Sequence, residues 1–302
     1  MINWRKYNQS LVKRGEIMLG FDIIDNWDNE LEEMNKGKVG EPYRYPNSFL
    51  LLLGYARVYF HLPFRQTEGI VRAHAENKLP SIPDYSTIGR RISKLDIYVN
   101  NNNKLGGNDV IIAIDSTGIK VTNRGEWMRH KWHCKSKKGY LKIHVAVDIS
   151  GRKKNEKKAK ILSLNVTTEK VHDSKVLPIL VRDIVRKQNI DTNTVIADGS
   201  YDNNKIFQFL SFNNIKPAIK VRKNSRIRND NHYKRNIAVV EQKTDFNKWK
   251  DSVSYGKRWI VESVFSSMKR MFGEYVSAVK YPNMVKEIML KASLYNLFIS
   301  IT

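Results

Sequence analysis

The order of apolar segments after residue 109 is the feature that most constrains the fold of this 302-residue chain. Val110–Val121 is a β-rich apolar run, and Tyr140–Ser150 and Ala159–Thr168 alternate apolar and polar residues like adjacent antiparallel strands, so three successive strands are predicted. Helical and strand patterns then follow in turn: helix 174–189, strand 194–202, helix 203–214 and strand 216–223. The order βββαβαβ, followed by a final helical region from about Tyr255, predicts an α/β fold with a mixed sheet flanked by helices.

The chain before this region has a different character. Residues 1–105 have helical patterns: Pro46–Tyr59, a short helix after Pro63, and PDYSTIGRRISKL, for which Ser86 or Thr87 is the predicted N-cap. Several short helices joined by tight turns are typical of a helix-turn-helix-like module. We therefore predict a helical DNA-binding domain at 1–105 and a catalytic α/β domain at 106–302, with a short basic insertion at about 223–254.

The net charge is +23 and is unevenly distributed. Residues 1–105 carry 15 basic and 12 acidic side chains, a net charge of +3, and the remainder carries +20. Each Lys or Arg that contacts a phosphate releases condensed counterions, so a nucleic acid is the first partner to expect. Most of its binding surface should lie in the second domain.

The cysteine content and the hydropathy of the sequence indicate the cellular compartment to expect. The single cysteine, Cys134, allows no internal disulfide, and no stretch reaches the roughly 18 apolar residues of a membrane-spanning helix. We expect a cytoplasmic protein without a membrane partner.

Two aspartates follow apolar strands. Asp115 comes directly after VIIAI, and Asp198 directly after TVIA. A single aspartate in such a place is typical of a turn or a helix cap. Two of them next to central strands favour a paired or cation-binding site, because a buried carboxylate is costly without a partner.

A third carboxylate lies in the final helical region. Tyr255, Arg258, Glu262 and Lys269 are spaced by 3, 4 and 7 residues, which places them on one stripe of a helix. A neighbouring apolar face would pack on the sheet and comprises Val261, Val264, Phe265, Met268, Met271 and Phe272. An Arg258–Glu262 ion pair on a surface helix is the alternative, but it leaves Tyr255 and Lys269 unexplained.

Other basic and polar residues allow two interpretations. Arg90, Arg91 and Lys94 lie within one helical turn and suit phosphate or groove contacts, or else an ordinary exposed face. The insertion at 223–254, with Tyr233 and Trp249, is either a DNA-contacting arm or a disordered loop. Asp173, after His172, is predicted to cap the following helix, with an accessory role as the alternative.

These residues resemble a known family. The order βββαβαβ with Asp, Asp and a helical Glu is similar to the RNase H-like fold of DDE transposases. Tyr255-x2-Arg258-x3-Glu262-x6-Lys269 resembles the Tyr/Arg/Glu/Lys signature of transposases from prokaryotic insertion sequences of the four/five group. Similar blocks cover most of the chain: LPFRQTEGIV, LPSIPDYSTIGRR, AIDSTGIKV, EWMRHKW, KIHVAVD, HDSKVLPIL, ADGSYDN and IKPAIKVRKN.

The resemblance implies a cut-and-paste transposase. Asp115, Asp198 and Glu262 would be the catalytic residues and the ligands of Mg²⁺ or Mn²⁺, with two ions expected. The activity implied is metal-dependent cleavage of phosphodiester bonds at the element ends and strand transfer into target DNA.

The same resemblance implies DNA contacts and partners. Tyr255, Arg258 and Lys269 would contact phosphates near the cut. The terminal inverted repeats and target DNA would be bound by a homodimer in a synaptic complex, in a prokaryotic nucleoid.

Two further functions stay open at this point. One is a catalytically silent, transposase-derived protein that binds specific DNA through its charge. The other is a stand-alone RNase H-like nuclease, which the N-terminal helical module disfavours.

Overall fold

The structure is a computed structural model. It describes residues 3–19, 25–75, 78–99, 109–121, 140–150, 159–227 and 233–301. The chain forms two compact units: a helical unit of Met1–Tyr98 and Ala278–Thr302, and a sheet unit of Val99–Ser277. The linker-like segment 101–108 lies outside the described residues.

Helices and strands follow in chain order. The first part of the helical unit contains α1 (Trp4–Leu19), α2 (Trp27–Asn35), α3 (Asn47–Tyr59), α4 (Phe64–Ala75) and α5 (Tyr85–Lys94). The sheet unit contains β1 (Val110–Val121), β2 (Tyr140–Asp148), β3 (Lys160–Thr168), α6 (Leu177–Arg182), β4 (Thr192–Ala197), α7 (Asn204–Phe212), β5 (Lys216–Ile219), α8 (Tyr233–Thr244), α9 (Phe246–Ser252), α10 (Trp259–Phe272) and β6 (Tyr275–Val276). The last helix, α11 (Tyr281–Ser300), belongs to the helical unit.

The core of the helical unit forms around α3. This apolar helix buries most of its side chains, and α11 packs against both α3 and α5. Gly54 permits a close approach, because a Cβ at this position would lie 3.0 Å from the Leu290 side chain of α11. Tyr55 and Ser293 share a buried hydrogen bond of 2.7 Å across the same two helices.

The position of α11 differs from the predicted domain boundary, which assigned residues 278–302 to the catalytic domain. An apolar helix must bury its surface, but its periodicity does not specify the partner. Here the partners are α3 and α5, so contacts in the fold and not chain order decide the unit to which α11 belongs.

The start of α5 corrects a local prediction. Asp84, and not Ser86 or Thr87, is the N-cap: its Oδ1 accepts from the backbone N–H groups of Ser86 (2.8 Å) and Thr87 (2.9 Å). All three residue types are good caps. The helix therefore begins at Tyr85, two or three residues earlier than predicted.

Within the described residues, the sheet has six strands: five in the order β3-β2-β1-β4-β5, and the short β6, which also pairs with β1. β1 pairs antiparallel with β2, and β2 antiparallel with β3, whereas β4 and β5 are parallel to β1. Helices α6, α7 and α8 contribute buried residues to the main core beside the sheet. The predicted α/β fold, a mixed sheet flanked by helices, is confirmed.

Strand register places the two aspartates at the same level. Ala113 of β1 is the partner of Ile196 in β4. Asp115 and Asp198 each lie two residues beyond this pair, where β4 has ended. Asp115 itself is not at a strand end, because β1 continues to Val121 and pairs Asp115 with Val145 of β2.

The predicted insertion is helical. Within the described part of 223–254, α8 and α9 form, and α8 packs against α7. Trp249 is buried and lies 5.1 Å from Tyr255 between ring centroids, so its ring is not free to stack on a base. Tyr233 is exposed.

Membrane-spanning character is absent from the helices that the structure describes. None of them combines the length and the hydropathy needed to cross a bilayer.

Candidate active site

Arg258 joins two of the three predicted catalytic carboxylates. Its Nη1 lies 3.0 Å from Asp115 Oδ2, and its Nη2 donates to Glu262 Oε1. Arg258 ends a 3₁₀ turn, Tyr255–Arg258, that leads directly into α10. The predicted stripe is therefore split between the turn and α10, yet the four-residue spacing still brings Arg258 and Glu262 together.

Helix α10 holds Glu262 beside the sheet because a neighbouring face of the helix is apolar. Val261, Val264, Phe265, Met268 and Phe272 are buried, and α10 packs against β1. This confirms the predicted apolar face, except that Met271 is only half-buried. Glu262 lies in the first turn, where a carboxylate also interacts favourably with the helix dipole.

Asp198 follows β4 and caps the short 3₁₀ helix Gly199–Tyr201. Its Oδ1 accepts from the Ser200 backbone N–H at 2.9 Å and from Ser200 Oγ at 2.6 Å. Asp198 is near enough to Asp115 to act on it electrostatically. The structure thus places the three predicted acids in one neighbourhood, although only Asp115 and Glu262 share a partner.

The pKa of Asp115 reports this convergence. Burial raises the pKa, the backbone N–H of Ser116 opposes the rise, and Asp198 and Glu262 raise it further while Arg258 lowers it. Burial alone would lower the pKa of Arg258, but Asp115, Tyr255 and Glu262 raise it overall. Arg258 therefore keeps its charge among carboxylates that repel one another.

Tyr255 is buried next to this group. Burial raises its pKa to about 12, Arg258 opposes the rise, and Asp198, Asp115 and Glu262 add to it. The phenol therefore remains protonated near neutral pH and is a potential hydrogen-bond donor.

A cavity of about 770 Å³ opens beside Asp115 and Glu262. Its lining comprises Asp115, Ser116, Thr117, Glu262, Phe265, Ser266, Lys269, Arg270 and Glu274. Lys269 thus faces the same space as the two carboxylates, as the spacing predicted. Asp198 is not part of the lining.

The donor set suits a hard divalent cation by its chemistry. Carboxylate oxygens are the ligands preferred by Mg²⁺ and Mn²⁺, and the repulsion felt by Asp115 is what a cation relieves. Among the described residues, however, no group of three or more His, Cys, Asp or Glu side chains has a metal-holding arrangement. Arg258 spans Asp115 and Glu262 instead.

The three predicted DNA-binding residues of α5 differ in their surroundings. Arg90 and Lys94 are exposed. Arg91 is held by its own unit: its guanidinium lies 4.0 Å from the Tyr43 ring centroid and donates to Asn47 Oδ1 at 2.8 Å. Of these three residues, Arg90 and Lys94 have exposed side chains, whereas Arg91 is half-buried.

Asp173, which the sequence analysis predicted as a helix cap, has a different role behind the site. His172, and not Asp173, caps the helical segment, since its Nδ1 accepts from the Ser174 N–H at 3.3 Å. Asp173 lies instead 2.7 Å from Lys142 Nζ and accepts from Ser116 Oγ at 3.0 Å. The signal for it was the pair His172-Asp173, but only the fold shows that Asp173 faces β1 and β2.

A second missed carboxylate is Asp202, four residues after Asp198. It forms two bonds with Arg235, from Nε to Oδ1 at 2.7 Å and from Nη2 to Oδ2 at 3.0 Å. Its Oδ2 also accepts from Ser225 Oγ and from the Arg222 N–H. This links the insertion to the segment that carries Asp198.

Comparison with known proteins identifies the family. A family model described as a transposase DDE domain matches residues 106–297, and a second model of the same description matches residues 12–124. The first match covers more than half of the chain, so the chain belongs to the DDE transposases.

Solved structures include a similar transposase. The chain is similar to the piggyBac transposase in a cryo-EM structure of its synaptic complex with hairpin DNA. The sequence identity is 11%, the TM-score is 0.41, and the match covers 95% of this chain and 74% of that one.

Proposed function

We propose that this DDE transposase serves a prokaryotic insertion sequence. It cuts phosphodiester bonds at the ends of its element and joins those ends to target DNA, as in cut-and-paste transposition. The observation that carries the proposal is the meeting of Asp115 and Glu262 at Arg258, with Asp198 near enough to affect Asp115. A structural ion pair would not need a third carboxylate or the open cavity beside it.

Asp115, Asp198 and Glu262 would hold the Mg²⁺ or Mn²⁺ ions, two in number by the resemblance. Such ions activate an attacking hydroxyl and stabilise the leaving oxygen of an in-line displacement. Asp115 lies on β1, Asp198 directly follows the adjacent strand β4, and Glu262 lies on α10, which packs against β1. Rigid elements are suited to keeping ligands in place.

The cationic residues would bind the scissile strand. Lys269 lines the cavity and offers a point charge to a phosphate, whereas Arg258 offers a planar fork. In the structure, Arg258 is paired with Asp115 and Glu262. If these carboxylates bound a cation, Arg258 would become available to a phosphate. The protonated phenol of Tyr255 would donate a hydrogen bond.

DNA recognition would involve both units. Arg90 and Lys94 on α5 are suited to contacts with the terminal inverted repeats, and the strongly basic sheet unit to the phosphates of both DNA partners. A homodimer would hold two ends together in a synaptic complex. The protein would act in the cytoplasm, at the nucleoid.

The test uses purified full-length protein, Mg²⁺ and duplex DNA that carries the sequences flanking the gene. Cleavage and strand transfer by the wild type should be lost in Asp198→Asn. Asp191→Asn is the matched control, because Asp191 is exposed just before the other end of β4. Equal products from the wild type and Asp198→Asn would reject the proposal.

The alternative, a silent DNA-binding protein, has its own outcome in this experiment. It predicts specific binding of the flanking DNA by both proteins, with no metal-dependent cleavage by either.

A further inference from the structure

Asp173 lies where three segments of the sheet unit meet. Its carboxylate contacts Ser116 of β1 and Lys142 of β2, and the short 3₁₀ helix Asp173–Lys175 packs against the Gly199–Tyr201 helix that follows Asp198. The Asp173 side chain is 15% exposed and that of Lys142 is 21% exposed. Asp173 therefore contacts the residue next to Asp115, and its helix packs against the helix that follows Asp198.

Ser116 forms the link to Asp115. Its hydroxyl donates to Asp173 Oδ1 at 3.0 Å, while its backbone N–H donates to Asp115 Oδ1 at 2.8 Å. One residue therefore ties two carboxylates through two different donors. A shift of the Asp173 carboxylate would be transmitted to the donor that orients Asp115.

Lys142 supplies the positive charge of this cluster. Its Nζ lies 2.7 Å from Asp173 Oδ1. His144 Nδ1 lies 3.5 Å from the same oxygen, but burial lowers the pKa of His144 to about 4 although Asp173 opposes this, so the imidazole is neutral near pH 7. Its Nε2 lies 2.9 Å from Thr167 Oγ1 on β3.

Tyr201 ends the short helix that follows Asp198. It is 1% exposed, and among the described residues its hydroxyl has no hydrogen-bond partner. Burial raises its pKa, and the charges of Asp173, Asp115 and Asp198 raise it further. A protonated hydroxyl is thus buried near these three carboxylates, where a small rearrangement would supply an acceptor.

We propose that Asp173 is a positioning residue of the active site, acting on Asp115 through Ser116 and on the Asp198 turn through the packing of its 3₁₀ helix against Gly199–Tyr201. It does not touch the reacting atoms in this arrangement. The inference rests on the proposed function and adds to it a residue outside the three acids and the Tyr/Arg/Glu/Lys signature. Outer partners that orient metal ligands commonly change metal affinity about 10- to 100-fold when they are replaced.

The chain contains a matched cluster outside this site. Asp183 accepts from Ser163 Oγ at 2.7 Å and lies 3.2 Å from Lys187 Nζ. It repeats the Ser–Asp–Lys chemistry without a described contact to Asp115 or Asp198. Asp183→Asn therefore removes similar bonds without disturbing the supports of the site.

The experiment measures Mn²⁺ binding by the full chain, with free Mn²⁺ detected by electron paramagnetic resonance. Asp173→Asn should weaken binding about 10- to 100-fold, whereas Asp183→Asn should bind like the wild type. Ser116→Ala should weaken binding as well. The double variant Ser116→Ala/Asp173→Asn should be no weaker than Asp173→Asn, because both act along one path.

Thermal unfolding checks that each variant is folded. If Asp173→Asn does not fold, Ser116→Ala carries the test, because it leaves the Asp173–Lys142 pair intact. A merely structural role would lower the unfolding temperature without changing Mn²⁺ affinity.

The outcomes separate this inference from the proposed function. Wild-type affinity in Asp173→Asn, or additive losses in the double variant, would overturn the inference alone, provided that Asp115→Asn binds weakly. Equal affinity in the wild type and Asp115→Asn would overturn the proposed function and this inference with it.

Discussion

Two arginine–carboxylate clusters in the sheet unit use the same chemistry for different ends. Arg235 binds Asp202 at 2.7 Å, and their side chains are 10% and 1% exposed. Arg258 binds Asp115 at 3.0 Å and also Glu262, whose side chain is 55% exposed. The first cluster is closed to solvent, and the second borders a cavity.

The two clusters also differ in how many hydrogen bonds their carboxylates accept. Asp202 accepts four hydrogen bonds, two from Arg235 and one each from Ser225 and Arg222. Asp115 and Glu262 accept fewer bonds and repel each other. A saturated buried pair stabilises the fold, whereas an unsaturated, half-open one retains oxygen atoms for a ligand.

The largest expected effect is on stability, in Arg235→Gln. Removing one partner of a buried pair leaves Asp202 without its counter-charge, which typically costs about 3–5 kcal/mol of the unfolding free energy. Urea denaturation measures it. Lys234→Gln, an exposed neighbour on α8, should change stability by less than about 0.5 kcal/mol.

Arg258→Gln should affect DNA cleavage strongly and stability only slightly, in contrast to Arg235→Gln. We expect DNA cleavage to fall about 10²- to 10³-fold, as when a preorganised donor to transition-state charge is removed. The unfolding free energy should change by only about 1 kcal/mol, because Glu262 remains hydrated. Single-turnover kinetics measure the cleavage rate, and urea denaturation measures the unfolding free energy. If Arg258→Gln were as unstable as Arg235→Gln, the two clusters would not differ in role.

The smallest effect is in the pH dependence of stability. Burial alone would raise the pKa of Asp202, but the bonds from Arg235, Arg222 and Ser225 outweigh it and lower the pKa. A lowered carboxyl pKa stabilises the folded state above the ordinary value of about 3.9, and this stability is lost as pH falls through the folded pKa.

Asp202→Asn should therefore narrow the stability difference between pH 7 and pH 3 relative to the wild type. Asp115 contributes to the pH dependence of stability with the opposite sign, because its raised pKa means that the folded state binds its proton more tightly than the unfolded state does. Asp115→Asn should widen that difference. Urea denaturation across this range measures both, and identical profiles for the two variants would contradict the contrast.

Much of this organisation could be predicted from sequence. The strand predicted at Tyr140–Ser150 and the apolar face from Val261 to Phe272 are both present in the structure, although β2 is buried on both faces between β1 and β3 and does not alternate in burial. Asp115 and Asp198 could be found because each follows an apolar run in the sequence. Glu262 could be found because a spacing of four residues joins it to Arg258.

The roles of other residues could not be predicted from their own segments. Trp249 and Arg91 are typical of nucleic-acid contacts, yet Trp249 packs against Tyr255 and Arg91 binds Tyr43 and Asn47. Their partners for the most part lie far away in sequence. Local patterns contain no information about which distant group will satisfy a side chain.

The sequence by itself determined the order of helices and strands, their buried faces and the positions of the three acids, because these depend on periods of two or 3.6 residues. Only the tertiary structure decided that α11 packs with α3 and α5, that Arg235 binds Asp202, and that Asp173 accepts a hydrogen bond from Ser116. Each of these depends on contacts between segments brought together by the fold. Burial and hydrogen bonding select those contacts over the whole chain at once.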